Sequence, residues 1–445
     1  MRIAWRGGEL KLLLPILLLV PLGFAITHIA TAGVAEPGPL NIALVYVGIM
    51  LGAHVLLVAS GHRGDQLLLP AVAAMGGLGL IMLNRLPQDL AGTRAMGLEL
   101  GMAATQTLWF SVGVVAMQAV AIFFREDRML RHYKYTWAAV GIGLLLATFL
   151  FGYEVNGARL WIDLGAVSVQ PGELIKIVLV IFIASYLAET RALLTGASYR
   201  VGFISIPPLP YLLPMLVLFA IVMLIVVRLN DLGTGLLFFG TFLTMLFVAT
   251  GRRSYVLIGL VLFVAGSYVA YQLFAHVEAR VNTWWDPFAD PSGAGYQPVQ
   301  AIYALGRGGL FGEGLGQGLP MIGGNLPIPF VHTDFIFTAI AEELGLIGAF
   351  ALLGFAAVVV FRGLRIAALA RDDFSALLAT GLTASLGLQT LIIIAGNTKL
   401  IPLTGITLPF VSYGGSSLLA SFLMIGLLLS ISHRSGTSAD EENGA

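Results

Sequence analysis

The sequence RLNDLGT (residues 228–234) joins two apolar runs, one starting near Leu209 and the other at Leu236, and each run is long enough to span a membrane. Asp231 stands in this short junction. A charge so near the apolar core of a bilayer costs roughly 2.5–3.5 kcal/mol on insertion scales, so Asp231 is a candidate functional residue. The same pattern fits a helix N-cap, because an Asp side chain accepts hydrogen bonds from the first backbone N–H groups of a helix.

Composition identifies the class of protein. Of the 445 residues, 58% are hydrophobic and 11% are charged, whereas soluble proteins carry about 25% charged residues. The chain is therefore an integral membrane protein, and its apolar run at 10–30 is interpreted as a retained helix because it has no convincing cleavage site. A net charge of zero argues against nucleic acid as a partner. The absence of cysteine excludes disulfides, thiolate metal sites and cysteine nucleophiles.

Apolar segments of about 20 residues predict an all-α polytopic membrane protein with about twelve transmembrane helices. Three hydrophilic stretches remain between or after them, at 152–170, at 275–334 and in the tail 433–445, which is rich in Ser, Asp, Glu and Gly and is predicted to be disordered. The predicted helices lie near 10–30, 40–60, 66–84, 101–124, 135–151, 171–189, 209–228, 231–250, 254–274, 335–361, 376–398 and 413–432.

Lysine and arginine placement predicts the orientation of the chain. With the N-terminus in the cytoplasm, the inner loops hold 16 of the 24 basic residues and the outer loops hold 7. Because cytoplasmic loops are enriched in Lys and Arg, both termini are predicted to be cytoplasmic. Asp231 then lies at the outer end of the eighth helix, and the loop 275–334 is extracytoplasmic.

The other unusual polar residues are predicted to gather at the same outer end. Glu173 and Lys176 lie in the first turns of the sixth helix, and their i, i+3 spacing puts them on one helical face. A transporter that alternates between two faces usually has polar residues near the midplane and the inner side as well. The remaining candidates are Arg159, Arg307, His332, Asp334, Lys399, Ser412 and Ser416.

Each of these residues also has a structural interpretation. Glu173 and Lys176 form a possible ion pair that only stabilises the fold, and Arg159 is a possible membrane-interface anchor. Asp334 is a possible cap of the tenth helix, and His332 a possible hydrogen-bonding loop residue. Composition does not choose between the structural and the functional interpretation.

Six motifs, taken together, resemble the SEDS family (shape, elongation, division and sporulation), and the resemblance covers roughly residues 66–432. Members of that family typically have ten membrane helices, so residues 1–65 are predicted to be an added two-helix extension. The chain departs from the family pattern at Asn230, where proline is usual, and at Gly172, where serine is usual. The motifs are NGARLWI (156–162), QPGELIK (170–176), DLGTG (231–235), GYQ with GEGLG (295–297 and 312–316), HTDFIF with EELG (332–337 and 342–345), and PLTGITLPFVSYGGSS (402–417).

The resemblance implies a peptidoglycan glycosyltransferase that polymerises lipid II into β-1,4-linked glycan at the outer face of the bacterial cytoplasmic membrane, in cell elongation or division. Asp231 is the implied general base, Lys176 and Arg159 are the implied cations for pyrophosphate, and Glu173 is expected to orient Lys176. Lys399 and Arg307 are further candidates to bind substrate. A Mg²⁺ or Mn²⁺ ion is a candidate cofactor, although no ligand cluster identifies its site.

The resemblance also implies a partner, a class B penicillin-binding protein that cross-links the new glycan and contacts the large loop and adjoining helices. Membrane lipids surround the chain, and a groove between helices is expected to admit the lipid tail of lipid II. Two alternatives stay open from the sequence, a flippase for the lipid-linked precursor and a non-catalytic scaffold. The outer concentration of polar groups ranks the flippase second, and the presence of Asp231 makes the scaffold third.

Overall fold

The computed structural model describes residues 6–32, 38–88, 94–95, 98–124, 128–155, 157–165, 167–196, 199–201, 204–206, 209–318 and 326–443. Within these residues, twelve helices are long and apolar enough to cross a membrane, and they coincide with the twelve predicted segments. The predicted all-α polytopic fold is therefore confirmed. Fifteen α-helices occur in the described chain: α1 (Gly7–Ala32), α2 (Gly38–Ala59), α3 (Leu68–Arg85), α4 (Met102–Phe123), α5 (Arg128–His132), α6 (Lys134–Phe151), α7 (Pro171–Gly196), α8 (Leu209–Arg228), α9 (Leu232–Thr250), α10 (Arg253–Leu273), α11 (Ala275–Trp285), α12 (Tyr296–Gly308), α13 (Ile336–Ala368), α14 (Asp373–Asn397) and α15 (Gly415–Asn443).

The centre of the bundle is built around α14, which packs against α7, α9 and α13. Both α7 and α14 are mostly buried, whereas α10 lies at the periphery and contacts chiefly α9 and α11. An apolar helix at the periphery of a membrane protein faces lipid, so exposed side chains such as Leu260 and Val264 need no protein partner. The end of the bundle where α8 gives way to α9 and where α7 and α13 begin is called the Asp231 end below.

The two N-terminal helices pack on the remaining ten, α1 against α3 and α2 against α4. At the end of the bundle opposite Asp231, the guanidinium of Arg6 is buried and donates to the carboxylate of Glu9 and to the carbonyls of His62, Gly64 and Asp65. This buried cluster corrects the expectation that nearly all unusual polar residues lie at the Asp231 end. Its charges are paired, as buried charges must be. Because Arg6 precedes α1 and the three carbonyls precede α3, the cluster attaches the N-terminal extension to the core.

Short antiparallel strands form the larger connections. The stretch 152–170 folds into a three-stranded sheet in the order β3 (Tyr153–Val155), β4 (Ala158–Asp163) and β5 (Ser168–Val169). Glycine occupies the turn between β3 and β4, where Gly157 has a φ of 81°. Two smaller hairpins pair β1 (Arg94–Ala95) with β2 (Leu98–Glu99), and β6 (Tyr199–Val201) with β7 (Ile204–Ile206).

The predicted loop 275–334 contains much regular structure in its described part. It begins with α11, continues through a 3₁₀ turn at Pro287–Ala289, and then forms α12, which packs against α13. Both helices are amphipathic, and hydropathy windows that search for apolar spans do not detect such helices. The loop is thus a folded layer at the Asp231 end.

The helix α13 is interrupted at Gly345, whose φ of 65° and ψ of −167° are not helical. The segment 309–314 inserts there: the N–H groups of Glu313 and Gly314 donate to the carbonyls of Glu342 and Glu343, while Gly309 accepts from the backbone of α13 beyond the break. Within a membrane, interrupted helices need such internal partners for their backbone groups. The inserted segment therefore stabilises the break.

The last helix, α15, extends to Asn443, so helical backbone covers 433–443, which the sequence predicts to be disordered. A tail rich in polar residues cannot bury an apolar face, which is why disorder was expected. However, the helix arrives already nucleated from the membrane span, no proline interrupts it, and Ala and Glu are good helix formers.

Candidate active site

Asp231 caps α9 and lies half-buried between α8 and α9. Its side chain accepts a 3.0 Å hydrogen bond from the backbone N–H of Thr234, so the predicted cap is confirmed. Loss of solvent raises the pKa of Asp231, the hydrogen bonds with Thr234 lower it, and the charges of Glu173 and Arg280 act in opposite directions. The balance is a raised pKa, which makes this carboxylate a stronger base than an exposed aspartate.

Glu173 and Lys176 face each other, as their spacing predicts. The ammonium of Lys176 is 2.5 Å from a carboxylate oxygen of Glu173 and 2.8 Å from Oε1 of Gln389 on α14. Nε2 of Gln389 donates in turn to the Thr407 carbonyl. Lys176 is only 3% exposed. The buried ammonium and its two acceptors connect α7 to α14, and Gln389 extends this connection to the 402–414 segment. Glu173, the partner of Lys176, is close enough to Asp231 for its charge to act on that carboxylate.

A cavity of about 400 Å³ opens at the Asp231 end, next to α11. Arg280 and Trp284 of α11 form one wall, and Asp334, Asn397 and Lys399 contribute polar groups from the other side. The cavity therefore combines two cations, one carboxylate and an aromatic surface. Such a mixture suits a ligand that has both phosphate and sugar groups.

The segment 402–414 contacts both the cavity, through Leu403 and Gly405, and the start of α9. Gly233 at the start of α9 lies so close to it that a Cβ there would be 2.7 Å from the Thr404 carbonyl oxygen. On its other side, a Cβ at Gly405 would be 3.8 Å from Oδ2 of Asp334. The charge of Arg280 acts on both Asp231 and Asp334. Asp231 therefore lies near the cavity, although it is not one of the residues that line it.

Asp334 does not cap α13, since that helix begins after Phe335 without a side-chain cap. It lines the cavity instead, and its carbonyl accepts a 2.8 Å hydrogen bond from Nδ2 of Asn397. Burial raises the pKa of Asp334 to about 6, against smaller opposing effects of a hydrogen bond with Thr333 and the charge of Arg280. Asp334 therefore changes its protonation state close to physiological pH.

Two predicted phosphate-binding cations lie elsewhere. The side chain of Arg159 is 56% exposed on β4, where its Nε is 3.7 Å from Glu154 on β3, and the ion pair of Glu173 and Lys176 does not include it. Arg307 donates two hydrogen bonds to Glu342, at 3.0 and 2.7 Å, and lines a separate small pocket near α3. Sequence position alone did not reveal these carboxylate partners; the pair of Arg307 with Glu342 is the closer one, and that of Arg159 with Glu154 is exposed to solvent.

The remaining predicted residues hold the 402–417 segment in place. Ser412 is buried, and its hydroxyl donates to the Thr333 carbonyl and accepts from the Leu408 N–H. Ser416 accepts from the N–H of Gln170, 3.0 Å away. The ring of His332 packs 5.8 Å from that of Tyr413, and burial lowers its pKa, so it is neutral at pH 7. The hydrogen bonds of Ser412 and Ser416 therefore stabilise the conformation of this segment.

No three His, Asp or Glu side chains among the described residues converge in a way that could hold a metal ion. The residues present therefore do not form a metal site of their own. The prediction of Mg²⁺ or Mn²⁺ stays a prediction.

Sequence reasoning missed three residues of the site: Arg280, Gln389 and Asn397. Arg280 and Trp284 are four residues apart in a polar stretch, and their amphipathic helical spacing was the one available signal. Gln389 and Asn397 lie on α14 inside an apolar run, where intramembrane amides are uncommon and tend to hydrogen-bond to neighbouring helices. Their partners are distant in sequence, so no local pattern identifies them.

Known proteins share this architecture. The model of the family described as cell cycle protein, named for FtsW, RodA and SpoVE, matches residues 65–437. The chain is 42% identical over 393 residues to the peptidoglycan glycosyltransferase RodA of Mycobacterium tuberculosis, with 88% of this chain and 82% of that protein covered. It is 37% identical over 344 residues to the stage V sporulation protein E of Bacillus subtilis, with 75% and 87% covered.

A solved structure extends this likeness to three dimensions. A chain from a peptidoglycan synthase complex, whose structure concerns the coordination of polymerization and crosslinking, aligns with a TM-score of 0.66 at 26% identity and covers 84% of this chain and 98% of its own length. The family match spans the whole range 66–432 over which the sequence motifs indicate the resemblance. The chain is a member of the FtsW, RodA and SpoVE family, which is the SEDS family that its motifs resemble.

Proposed function

We propose that Asp231 is the general base of a peptidoglycan glycosyltransferase reaction in which lipid-linked disaccharides are joined into glycan strands. The chain is a peptidoglycan glycosyltransferase, as its curated RodA relatives are. The observation that supports the role of Asp231 is its position: a half-buried carboxylate of raised pKa, at a helix N-terminus beside a cation-lined cavity. A raised pKa makes a carboxylate a more effective proton acceptor in general base catalysis.

The reaction has one bond-forming and one bond-breaking event. The acceptor sugar's 4-hydroxyl transfers its proton to the Asp231 carboxylate as its oxygen attacks the anomeric carbon of the donor. The bond from that carbon to the polyprenyl pyrophosphate breaks, and its electron pair leaves with the pyrophosphate. Attack from the face opposite the leaving group inverts the anomeric centre and produces a β-1,4 linkage. Cations near the leaving group stabilise the negative charge that it acquires.

Lipid II, the undecaprenyl-pyrophosphate-linked disaccharide-pentapeptide, is the proposed substrate. Its headgroup carries sugars and pyrophosphate, which match the polar and charged lining of the cavity. Its lipid tail requires a lateral path to the bilayer. The helix α10 is exposed along most of its length and continues directly into α11, which forms the cavity wall, so the tail would leave along this side.

The proposed location is the bacterial cytoplasmic membrane, with both termini in the cytoplasm and the Asp231 end outside. The excess of basic residues in the predicted inner loops supports this orientation. Paired charges dominate at the opposite end, where Arg6 bonds to Glu9, and Arg362 bonds to Asp65. Among the described residues, these buried charges at the opposite end are paired with one another and are not free to bind a substrate.

The proposed partner is a class B penicillin-binding protein, a single-pass transpeptidase. The similar solved chain belongs to a complex that couples polymerization to crosslinking. The folded layer 275–308 and the adjoining membrane helices are the proposed contact. Co-purification with the cognate transpeptidase, and its loss after disruption of this layer, would test the assignment.

The decisive experiment is polymerisation of labelled lipid II by the purified chain together with its transpeptidase partner, whose own active site is blocked. We expect long glycan chains from the wild type and none from Asp231→Asn, which keeps the size and capping ability of the side chain. Thermal unfolding and partner binding should be unchanged in the variant. Full polymerisation by Asp231→Asn would contradict the base assignment. Addition of EDTA to the same assay tests the predicted Mg²⁺ or Mn²⁺ requirement.

A further inference from the structure

Two cations of the cavity have no side-chain partner. Arg280 on α11 and Lys399 after α14 both line it, and in the described part of the chain neither charged group has a hydrogen bond or a carboxylate within ion-pair distance. Both side chains are only partly exposed. Cations that are partly removed from water and have no directly bonded carboxylate are stabilised when an anion joins them. The cavity therefore has the charge of an anion-binding site.

Four other cations of the Asp231 end already have a carboxylate partner, and Arg228, at the end of α8, is exposed and does not line the cavity. Lys176 contacts Glu173, Arg159 lies 3.7 Å from Glu154, Arg307 bonds to Glu342, and Arg85 pairs with Glu343. Recruitment of any of these four by a phosphate would require an existing ion pair to be broken or shared. Arg280 and Lys399 need no such exchange.

The fold also holds the two free cations together. Arg280 and Trp284 are one turn apart on α11 and share a face. The indole N–H of Trp284 donates a 3.0 Å hydrogen bond to the carbonyl of Lys399, whose backbone is in the left-handed conformation with φ of 60°. A non-glycine residue rarely adopts that conformation, and here the Trp284 bond stabilises it. The position of Lys399 is thus tied to the helix that carries Arg280.

We propose that Arg280 and Lys399 bind the pyrophosphate of the polyprenyl-linked donor sugar, an assignment that rests on the proposed function. The guanidinium offers a planar pair of donors to phosphate oxygens, and the ammonium adds a second positive charge. Asp231 lies close enough for the charge of Arg280 to act on it. In this assignment the base and the leaving group lie on opposite sides of the reacting carbon, as inversion requires. Asp334, which also lines the cavity, suits a sugar hydroxyl rather than a phosphate.

The test measures binding separately from polymerisation. The full-length chain in lipid nanodiscs, with its transpeptidase partner, is titrated with farnesyl pyrophosphate, with inorganic pyrophosphate and with farnesol. The variants are Arg280→Gln and Lys399→Asn; asparagine is chosen because it tolerates the left-handed backbone without a charge. Arg253→Gln is the control, since Arg253 is an exposed arginine at the start of α10, at the opposite end of the bundle.

We expect each cavity variant to weaken binding of farnesyl pyrophosphate by roughly 10- to 100-fold, the effect of losing one charged hydrogen-bonding group. Arg280→Lys should recover part of the loss, and Arg253→Gln should bind as the wild type does. Farnesol binding should not respond to any of these changes. Competition by inorganic pyrophosphate would show that the anion, and not the isoprenoid, is recognised.

Wild-type affinity in both Arg280→Gln and Lys399→Asn would overturn the assignment, and so would a wild-type chain that polymerises lipid II but does not bind farnesyl pyrophosphate. Failure of the wild type to polymerise lipid II, with charge-dependent binding intact, would count against the proposed function and not against this site. Unfolding temperatures of all variants establish that the changes in affinity do not come from misfolding.

Discussion

Asn230 donates a 2.8 Å hydrogen bond from its side-chain amide to the carbonyl oxygen of Gly157, and so joins the residue before Asp231 to the turn between β3 and β4. Asn230 has a φ of 62°, in the left-handed region, and its amide reaches the hairpin from there. Asparagine adopts this region more readily than most residues. The resemblance to the family indicated proline here, and this structure shows why asparagine suits this chain: proline is limited to φ near −65°.

Substitutions at Asn230 should separate its backbone role from its side-chain role. Asn230→Gly keeps access to positive φ and removes the bond to Gly157, so we expect a small loss of stability and faster amide exchange in the strands β3 and β4. Asn230→Pro cannot adopt the observed φ, so we expect a larger drop in thermal stability together with lower polymerisation. Hydrogen exchange and thermal unfolding measure the two effects. Equal behaviour of the two variants would show that the backbone conformation is not the constraint.

The buried pair of Lys176 and Glu173 permits a test of structure against catalysis. Lys176→Met leaves the Glu173 carboxylate without its counter-ion, and loss of one partner of a buried ion pair costs about 3–5 kcal/mol. The double variant Glu173→Gln/Lys176→Met removes both charges and should recover most of the thermal stability. We nevertheless expect polymerisation to stay at least tenfold below wild type, because the charge beside Asp231 is gone.

The comparison of these two variants decides between the two interpretations of the pair. If activity returned with stability in the double variant, Lys176 and Glu173 would serve only the fold. Gln389→Leu provides a further control, because it removes the neutral acceptor of Lys176 and leaves the ion pair itself in place.

Asp334 should make the stability of the protein depend on pH. Its pKa is raised to about 6 in the folded chain, above the value of about 3.9 in an unfolded one. The folded state therefore holds this proton more tightly, so its contribution to stability is greatest at low pH and is lost as pH rises from about 4 through about 6. In Asp334→Asn this part of the pH dependence should disappear. Thermal unfolding of both proteins in detergent at pH 5 and pH 7.5 measures the difference.

Two glycines of α13 should respond to alanine in opposite directions. Gly345 has a φ of 65°, and a Cβ there would be 2.4 Å from the Leu310 carbonyl oxygen. Gly345→Ala should therefore destabilise the protein by about 1–3 kcal/mol, the cost of a strained backbone residue. Gly354 lies in regular helix, and a Cβ there meets no atom within 4 Å.

The matched control Gly354→Ala should stabilise α13 by about 0.5–1 kcal/mol, because alanine loses less conformational freedom in a helix. Unfolding in detergent distinguishes the two signs. If Gly345→Ala changed the stability as little as Gly354→Ala does, the inserted segment 309–314 would have moved away from the new Cβ at little cost in free energy.

Hydropathy was sufficient to predict the twelve spans, because a membrane helix satisfies its backbone within one continuous segment. The pairing of Glu173 with Lys176 was equally predictable, since a three-residue spacing fixes two side chains on one face. Contacts between residues that are distant in the sequence were not predictable. Gln389 is 213 residues from Lys176, and Glu342 is 35 residues from Arg307. Only the packing of the folded chain brings these residues together. The same packing decides which cations have a carboxylate partner, and so the sequence alone could not predict it.

The break in α13 has a mechanical consequence for the layer that carries Arg280. Four backbone hydrogen bonds attach residues 309–314 to the two halves of α13, and their separation in a lipid environment would leave polar groups without water to replace their partners. One end of the layer is therefore a fixed anchor, whereas its other end follows α10, the least enclosed helix of the bundle. Because α10 continues directly into α11, which forms a wall of the cavity, a tilt of α10 in the bilayer is expected to change the width of the cavity.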